Sequence, residues 1–569
     1  MFSRFRHAER DGHVPSVVIL GGGYGGVHAA IELQRAAKRG EIELTLISRD
    51  NFFLFQPMLA EVISGAISPL NVVSPVRRIV PYANVHQAEI EFVDTDERTV
   101  AIRYPGHARL TYVKYDHLIF AVGSATDLSQ FHGVEEHALP FKTLGDAIRL
   151  RNHLISMLEA ADVEEDLFEK HCILTFVIAG GGYTGVEVTS EINEFLRVAS
   201  KSYRNVDPDE FRVILLHRSG RILPELGERL ANLSHRLLEK RGIYIRLHTS
   251  LVGATGASAL LANDVYIPTK TLVATIGASP NPILSDLTCE LERGRLVVDD
   301  TLAVQGGENL WAVGDCALVP DALRGGFCPP TAQFALRQAK QAAQNVLASI
   351  RGMPTKTFRY KSRGVFVPLG GFAAACQSFG FEMSGFIAWW LYRTFYLLQL
   401  PRIERRLRVV TDWTMDLIFP PDIVKVDIDR PHGTSRQHYE AGEYIYSRGD
   451  IAQDFYVIIS GEVEVLHEQD GNETQVAELG VGEYFGEMSL LRNAPRSSSV
   501  RANTRVELLV MTGEDFLALA SSSLLFGDML REVVRERSDS NVARMRDLSA
   551  DGMQNGSEGR SPEVSDEAK

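Results

Sequence analysis

The chain has 569 residues, of which 45% are hydrophobic and 23% are charged, and its formal net charge is -14. A chain of this length exceeds what one hydrophobic core supports, so several domains are expected, and the ordinary composition excludes a fibrous or largely disordered protein. The negative charge repels polyanions and argues against nucleic acid as a partner.

The cysteines and the termini exclude several further classes. The five cysteines form no C-x-x-C pair, so neither a zinc site, a dithiol redox centre nor a disulfide framework is expected, and no metal site of any kind is predicted. The first 15 residues are polar and lack the apolar core of a signal peptide. No apolar stretch reaches the roughly 20 residues of a spanning helix. A reducing cytoplasm fits these features.

The first predicted element is an apolar strand at residues 17–20, which leads into a turn with Gly21, Gly23 and Gly26. A helical pattern follows through Gln34, and a second strand spans 42–47. In a G-x-G-x-x-G turn, the first glycine permits the tight bend, the second lets a pyrophosphate approach, and the third brings helix and strand close. The spacing predicts a dinucleotide-binding βαβ unit.

The same arrangement recurs later in the chain. A strand at 173–179 precedes Gly180, Gly182 and Gly185, a helix runs through Leu196, and another strand spans 211–216. One such motif is weak evidence, because tight glycine loops after strands are common. Two of them, each between a strand and a helix, predict two dinucleotide-binding domains.

Over about residues 15–425 the sequence resembles the type II NADH dehydrogenases, which are flavoproteins with two dinucleotide-binding domains. The resemblance is carried by the paired glycine motifs and by the segments LFQP at 54–57, LIFAVG at 118–123, WAVGD at 311–315 and PPTAQ at 329–333. It implies an α/β fold with two Rossmann-like domains. The FAD-binding domain is expected at 15–145 and 300–380, and the NAD(P)H-binding domain at 146–299.

The resemblance also implies roles for individual residues. Asp315 is expected to reach the ribityl chain of FAD, Ala332 and Gln333 to lie beside the isoalloxazine ring, and Glu187 to lie near the nicotinamide. Without the resemblance, Glu187 is a first-turn acid stabilised by the helix dipole. Gln333 and Gln338 are expected to line the quinone entrance, although glutamine is also a good helix former. The other expected cofactor contacts are Gly21, Gly23, Gly26, Ser48, Gln56, Pro57, Gly123, Gly180, Gly182, Gly185, His217, Arg218 and Gly277.

Two positions depart from the usual pattern of an acidic residue after the second strand, which binds the adenosine ribose. Ser48 stands there in the first unit and hydrogen-bonds a ribose more weakly, with Asp50 as a possible substitute. His217 and Arg218 stand there in the second unit. An arginine at this place can bind the 2′-phosphate of NADPH, or it can be an ordinary solvated side chain.

The implied activity is electron transfer from NADH or NADPH through FAD to a membrane quinone of a respiratory chain, without proton pumping. A disulfide relay is rejected, because no C-x4-C or C-x2-C spacing follows Gly26. Sulfide:quinone chemistry stays a remote alternative through Cys172, Cys328 and Cys376. The sequence also leaves open a soluble reductase for a ferredoxin-like carrier and a regulatory flavoprotein that binds a cyclic nucleotide.

An aromatic segment at about 384–400 is followed by four arginines and a second apolar-polar stretch at 409–419. We expect residues 381–428 to form an amphipathic membrane anchor that lies in the lipid interface and meets anionic headgroups, which places the protein peripherally on the cytoplasmic face of the membrane. The segment could instead form a core helix or the surface of a homodimer. The arginines are Arg402, Arg405, Arg406 and Arg408.

After a polar linker at 429–437 the pattern changes to short strands separated by glycine turns, typical of a β-roll. Residues 437–525 resemble a cyclic-nucleotide-binding domain, which implies cAMP or cGMP as an effector. By this resemblance Glu487 accepts the ribose 2′-hydroxyl, Arg496 pairs with the cyclic phosphate, amides from Gly486 onward complete the anion site, and Ser497 influences the choice of base. The alternative is a degenerate β-roll.

Two expectations concern the parts on either side of this domain. Residues 538–569 are rich in Ser, Asp, Glu and Gly, which predicts a disordered tail. The domain follows the anchor through a short linker, so we expect nucleotide binding to tilt the anchor or to cover the quinone entrance.

Overall fold

The protein is described by a computed structural model over residues 13–105, 109–262, 265–362, 364–378, 381–425, 435–469, 472–492, 494–513 and 515–516. The predicted tail at 538–569 lies outside the described residues. The predicted linker at 429–437 lies mostly outside them, and its last three residues belong to a strand.

The N-terminal part of the chain alternates strands and helices and then forms a run of short strands. Its elements are β1 (Ser16–Leu20), α1 (Tyr24–Lys38), β2 (Glu43–Ser48), β3 (Phe52–Leu54), α2 (Glu61–Ser64), β4 (Val73–Pro75), α3 (Val76–Ile79), β5 (Asn84–Gln87), β6 (Glu89–Asp94), β7 (Thr99–Arg103), β8 (Leu110–Lys114), β9 (His117–Phe120) and β10 (Ser124–Thr126).

The second part repeats the alternation. Its elements are α4 (Val134–His137), β11 (Ala138–Pro140), α5 (Leu144–Val163), α6 (Leu167–Ile173), β12 (Thr175–Ala179), α7 (Tyr183–Ala199), β13 (Arg212–Leu216), α8 (Glu228–Lys240), β14 (Ile243–Arg246), β15 (Leu251–Ala254), β16 (Ser258–Leu261), β17 (Tyr266–Pro268), β18 (Thr271–Ala274) and β19 (Ala278–Pro280).

The chain then returns to the first part and ends this region in a helix pair. The elements are β20 (Leu291–Glu292), β21 (Arg295–Val297), β22 (Leu310–Ala312), β23 (Ala317–Leu318), α9 (Ala332–Ile350), β24 (Gly364–Pro368), β25 (Ala374–Ser378), β26 (Phe381–Gly385), α10 (Phe386–Gln399) and α11 (Ile403–Asp416).

The last described part is built mainly of strands. Its elements are β27 (Ser435–Tyr439), β28 (Tyr444–Tyr446), β29 (Asp454–Ser460), β30 (Val463–Gln469), β31 (Asn472–Leu479), β32 (Tyr484–Phe485), α12 (Glu487–Arg492), β33 (Ser499–Ala502) and β34 (Val506–Thr512).

Two parallel five-stranded sheets organise the first two thirds of the chain. The first has the order β22-β9-β1-β2-β5 and the second the order β11-β18-β12-β13-β14. The central strands β1 and β12 are apolar and almost completely buried, as strands covered by helices on both faces must be. Because β22 joins the first sheet from far along the chain, the first domain is discontinuous.

The boundary between the two domains differs from the expectation. Strand β11 pairs with β18 of the second sheet, so this sheet begins before residue 146. Strands β10 and β19 pair with each other where the chain passes between the domains. The first strand of the second unit also starts later than predicted, because Asp166 caps α6 and this helix continues to Ile173.

The aromatic segment forms two helices of 14 residues each, α10 and α11. The expected start at residue 381 is a strand, β26, which pairs with β25. Arg405, Arg406 and Arg408 lie within α11 instead of between two helices. Among the described residues, no helix has the length and apolar character needed to cross a membrane.

The C-terminal part consists of two four-stranded antiparallel sheets with the orders β27-β34-β29-β32 and β28-β33-β30-β31. Apolar side chains from both sheets, among them Val463, Phe485 and Leu508, form one core. This is the β-roll that the sequence predicts.

The two glycine motifs allow a matched test of packing. A Cβ on Gly185 would lie 1.6 Å from the Gly180 carbonyl oxygen, whereas a Cβ on Gly182 would meet no atom within 4 Å. We expect Gly185→Ala to lower the free energy of unfolding by about 1–3 kcal/mol. We expect Gly182→Ala to change it by less than about 0.5 kcal/mol, because a weaker helix cap and a less flexible unfolded chain oppose each other. Urea denaturation measures both, and equal losses would contradict the packing argument.

Candidate active site and sensor site

The first glycine motif forms a backbone cradle at the end of β1. Gly21 has a φ of +109°, and a Cβ on it would lie 2.3 Å from the Ala121 carbonyl oxygen. A Cβ on Gly26 would lie 1.8 Å from the Gly21 carbonyl oxygen, so α1 touches the strand backbone. Gly23 is the N-cap of α1, and a Cβ on it would meet no atom within 4 Å. This geometry leaves room for a phosphate where α1 presents its free amides.

The second motif repeats this geometry after β12. Gly180 has a φ of +119°, Gly185 packs against its carbonyl oxygen, and Gly182 faces open space. Gly123 and Gly277 lie on the segments that connect the domains and have φ values of +67° and +81°. The two domains therefore present similar phosphate cradles.

The residues that replace the usual acids lie against the cradles. Ser48 is buried, and its Oγ would be 2.1 Å from a Cβ on Gly22. The Gly181 N–H donates to His217 Nδ1 at 3.1 Å, which leaves the proton of the neutral ring on Nε2. Burial lowers the pKa of His217, and Arg218 lowers it further. The Arg218 side chain is exposed.

Asp315 lies in a tight turn that follows β22 in the first domain. The turn is held by Gln338, whose Oε1 accepts from the Gly314 N–H at 2.8 Å. Ser124 Oγ donates to Asp315 at 3.4 Å, and burial raises the pKa of Asp315 although Lys142 opposes the shift. Gln338 is 2% exposed, so the structure makes it a positioning residue for this turn, which differs from the expectation that it lines a quinone entrance.

Gln333 lies at the start of α9, where Ala332 is the first residue. Its Nε2 donates to the Gly364 carbonyl oxygen of β24 at 3.0 Å, and the side chain is partly exposed. Gln56 is exposed, whereas Pro57 meets α10 through its carbonyl oxygen, which accepts from the Tyr392 hydroxyl at 2.8 Å.

Glu187 belongs to a group of three carboxyl groups, with Glu191 and Glu61, that the sequence analysis did not identify. It is the fifth residue of α7 and so lies beyond the first turn, contrary to the simpler interpretation. Burial raises the pKa of Glu187 to about 8, with further contributions from Glu191 and Glu61. Burial and Glu61 likewise raise the pKa of Glu191 to about 8. The four-residue spacing of Glu187 and Glu191 places them on one helix face, a signal that was present in the sequence.

Glu61 joins the first domain to the helix pair. Its side chain is 4% exposed, and burial raises its pKa. Tyr392 donates to Oε1 at 3.2 Å, and Trp413 Nε1 donates to Oε2 at 2.8 Å. Arg393 lies 3.5 Å from Oε2 and stacks on Trp413. One carboxylate on α2 therefore holds residues of both α10 and α11.

The outer face of the helix pair is apolar. Its inner face buries Ala388, Tyr392, Val409 and Trp413. Large apolar side chains are exposed on both helices and just beyond them: Phe386, Ile387, Trp390, Phe395, Leu398, Ile403, Leu407, Val410, Met415, Leu417, Ile418 and Phe419. So many large apolar side chains exposed on two successive helices indicate an interaction site.

The arginines of this region are mostly engaged with the protein itself. Arg402 donates to Glu404 at 3.1 Å, Arg405 to Asn71 at 3.2 Å, and Arg406 to the Leu400 carbonyl oxygen at 2.9 Å. Arg408 is exposed. Arg402 also donates to the Arg78 carbonyl oxygen at 3.3 Å, so Arg402 and Arg405 tie the helix pair to the first domain, whereas the contact of Arg406 lies within the pair. The sequence did not predict these contacts.

All five cysteines are free. Burial raises the pKa of the Cys316, Cys328 and Cys376 thiols to about 11. A thiol must ionise to attack a disulfide or a sulfur substrate, so these environments disfavour cysteine chemistry.

In the β-roll, Arg496 and Glu487 are both buried, with 3% and 1% exposed. Glu487 is the first residue of α12, and Arg496 follows that helix in the chain. Arg496 donates to the carbonyl oxygens of Gly486 at 2.7 Å and Asp454 at 2.6 Å, and its guanidinium lies over the Tyr446 ring. Ser497 is exposed beside it. A bound anion would exchange with these carbonyl contacts.

The β-roll contacts the second nucleotide domain. His132 Nε2 lies 2.7 Å from His438 Nε2. The backbone N–H of His438 donates to His137 Nε2 at 3.1 Å. Thr255 Oγ1 donates to Glu443 at 2.8 Å. The expectation was that this domain acts on the helix pair, whereas these contacts join it to α4 and to the loop after β15.

Two family models match the chain: the pyridine nucleotide-disulphide oxidoreductases over residues 15–345 and the cyclic nucleotide-binding domain over residues 436–523. The chain is 31% identical to a probable NADH dehydrogenase of Dictyostelium discoideum, covering 72% of this chain and 90% of that one. It is 31% identical to the type II NADH:quinone oxidoreductase NdhA of Mycobacterium tuberculosis, covering 70% and 86%. The structure of NDH2 from Plasmodium falciparum in complex with NADH matches with a TM-score of 0.67 at 19% identity, covering 73% and 100%, and shares the fold.

The raised pKa of Glu187 predicts a pH-dependent stability. A carboxyl with a pKa of about 8 in the folded chain and 4.5 in the unfolded chain destabilises the fold increasingly from pH 4.5 to pH 8, because the unfolded chain releases the proton first. We therefore expect Glu187→Gln to raise the free energy of unfolding more at pH 8 than at pH 5, by roughly 1 kcal/mol or more. Urea denaturation at both pH values measures this difference.

The matched control is Glu228→Gln, which changes an exposed acid at the start of α8. It should shift the stability by similar amounts at both pH values. If Glu187→Gln behaves in the same way, the carboxyl group is not held protonated in the folded chain.

Proposed function

The chain belongs to the type II NADH:quinone oxidoreductases, within the pyridine nucleotide-disulphide oxidoreductase family, and we propose that it holds FAD, takes electrons from NADH or NADPH, and delivers them to a membrane quinone without pumping protons. The observation that carries the proposal is the pair of glycine turns. In each, one glycine (Gly23 or Gly182) has open space beside it, and another (Gly26 or Gly185) packs against a backbone carbonyl oxygen.

The residues of the first domain fit FAD. Its cradle has room for the pyrophosphate, and the buried Ser48 beside it would bind the adenosine ribose. Asp315 contacts Ser124 and lies in the turn that Gln338 binds through the Gly314 N–H, and it would bind the ribityl chain. The resemblance puts Ala332 and Gln333 beside the isoalloxazine. Bound FAD accepts a hydride from the nicotinamide and passes electrons to the acceptor.

Quinone reduction consumes protons as well as electrons, and Glu187 is the residue of this chain suited to hold one. Its pKa of about 8 keeps the carboxyl protonated near neutral pH, while its partial exposure gives access to a substrate. Burial is the main cause of the raised pKa, and the neighbouring carboxyl groups of Glu191 and Glu61 add to it. In this proposal Glu187 supplies a proton to the quinone, and Gln333 lines the approach of the quinone.

The electron donor binds the second cradle. His217 lies across from Gly181, where a carboxylate would repel the 2′-phosphate of NADPH. The exposed Arg218 beside it can pair with that phosphate. NADH is the donor of the family, and these two residues make NADPH a usable second donor.

The acceptor reaches the protein from the helix pair. The exposed apolar side chains of α10 and α11 suit the interfacial layer of a bilayer, and Arg408 is available to anionic headgroups. We place the enzyme peripherally on the cytoplasmic face of the membrane, within a respiratory chain. The same apolar face is the surface through which a homodimer would form in the absence of lipid.

The rival functions differ in what they require. A reductase for a ferredoxin-like carrier needs no lipid surface, and the exposed apolar face of α10 and α11 argues against it. A purely regulatory flavoprotein would bind nucleotides without turnover. Sulfide:quinone chemistry would need ionised thiols, which the buried cysteines disfavour.

We expect purified protein to retain non-covalent FAD and to oxidise NADH, and more slowly NADPH, when a quinone is supplied. Lipid-soluble quinone in anionic vesicles should be reduced faster than the same quinone in neutral vesicles. Absorbance at the flavin and nicotinamide bands measures both points. Folded protein that never retains flavin would refute the proposal, and turnover with a ferredoxin but not with quinone would favour the rival reductase.

The β-roll is proposed to bind cAMP or cGMP and to change the dehydrogenase rate. Arg496 supplies a buried guanidinium for the cyclic phosphate, Glu487 an acceptor for the ribose 2′-hydroxyl, and Gly486 an adjacent backbone turn. Regulation requires a coupling free energy between the two ligand sites. The contacts of His438 and Glu443 with the second nucleotide domain are the structural link through which this coupling is proposed to act.

We expect Arg496→Ala to weaken cyclic-nucleotide binding about ten- to a hundredfold, because a charge-assisted hydrogen bond contributes roughly 1.5–3 kcal/mol. The control is Arg501→Ala, which removes a half-buried arginine paired with Glu464 at 2.7 Å and should leave affinity unchanged. Calorimetry with cAMP and cGMP measures both variants. If wild-type protein binds neither nucleotide at millimolar concentration, the domain is a degenerate β-roll.

A further inference from the structure

Two histidines and a glutamate converge where the β-roll meets the second nucleotide domain. His132 precedes α4, His438 lies on β27, and Glu440 follows β27. His132 and His438 are 306 positions apart in the chain, yet their Nε2 atoms are 2.7 Å apart. The Glu440 carboxylate is 3.2 Å from His438 Nε2, and the three ligand atoms all lie within 4.8 Å of one another.

We propose that this cluster is a divalent metal site, with Zn²⁺ as the preferred ion, that joins the β-roll to the second nucleotide domain. Two imidazole nitrogens and one carboxylate oxygen are a ligand set that tetrahedral Zn²⁺ accepts, with water in the fourth position. Softer thiolate ligands are absent from the cluster, and Mg²⁺ and Ca²⁺ prefer oxygen ligands throughout.

The distances require only a small rearrangement. Zn–N bonds of about 2.0–2.1 Å at a tetrahedral angle place two nitrogens about 3.3 Å apart, so the histidine rings would separate by about 0.6 Å. The contact between His438 and Glu440 already has the required length. His132 and Glu440 are less buried than His438, which is 2% exposed, so an ion can enter from their side.

The charges around the cluster define what the ion would replace. Arg505 Nε lies 3.8 Å from Glu440 Oε1. Its side chain is 55% exposed and can move into solvent when an ion takes its place. Glu507 is the second acid that acts on His132, and its negative charge offsets Arg505.

The site exists only when the two domains are in contact, because neither contributes enough ligands alone. The second nucleotide domain supplies His132, and the β-roll supplies His438 and Glu440. Metal binding therefore stabilises the contact by mass action, in proportion to the logarithm of the metal concentration above its dissociation constant. Metal binding can be measured without turnover and without a cyclic nucleotide, although His438 also belongs to the contact through which the nucleotide is proposed to act.

The test uses the full-length flavin-containing protein, stripped with a chelator and titrated with ZnCl₂ in a calorimeter. We expect one Zn²⁺ per chain in the wild type. His132→Gln and Glu440→Gln should each lower the affinity at least about a hundredfold, since loss of a direct ligand exceeds the tenfold to hundredfold cost of losing an outer partner. Unchanged flavin content and circular dichroism establish that these variants fold.

The matched control is His235→Gln, which removes a surface histidine that faces Glu239 at 3.3 Å on α8. It should bind Zn²⁺ as the wild type does. The proposal is overturned if the wild type binds no stoichiometric Zn²⁺, if His132→Gln and Glu440→Gln bind it with unchanged affinity, or if His235→Gln removes the site equally.

Discussion

The burial of the Glu61 carboxylate is the interaction on which the placement of the helix pair depends. A charged group removed from water must find donors within the protein, and here Tyr392, Arg393 and Trp413 supply them. These three residues lie on two different helices, so both helices are held to α2 at one point. This contact fixes which face of the helix pair packs against the protein. The apolar side chains on the opposite face remain exposed.

The same carboxylate shapes the chemistry of the neighbouring helix α7. Burial raises the pKa of Glu187 to about 8, and the neighbouring carboxyl groups of Glu191 and Glu61 add to this effect. A group that holds its proton near neutral pH is suited to transfer it. Glu61 therefore both holds the helix pair and contributes to the raised pKa of Glu187. A change in one of these two properties affects the other.

Local features of the sequence were sufficient to predict the two nucleotide domains and the β-roll. Short apolar strands such as β1 and β12, each followed by a glycine turn, specify a βαβ unit within about 30 residues. Contacts between distant segments were not predictable in this way. Glu61 contacts Tyr392 and Trp413, and His132 contacts His438, each across more than 300 positions of the chain. The pairing of β11 with β18 depends on how the chain passes between domains.

Gln338 shows a different limit of sequence reasoning. A glutamine on a helix gives no sign of whether it faces a substrate or the backbone, because both positions have the same helical spacing. The side-chain Oε1 of Gln338 accepts from the backbone N–H of Gly314, which only the fold brings near. The arginines of α11 are similar, since a cluster of positive charge predicts a lipid headgroup and an internal carbonyl oxygen equally well.

The contact of the β-roll with the second nucleotide domain has a thermodynamic consequence if that domain binds the electron donor as proposed. The coupling free energy between two binding sites is the same in both directions. If a cyclic nucleotide changes the affinity for the donor, the donor changes the affinity for the cyclic nucleotide by the same factor. Occupancy of the β-roll would then report the supply of reduced nicotinamide as well as the level of the cyclic nucleotide. In such an arrangement the regulator and the metabolic state it regulates are read together by one chain.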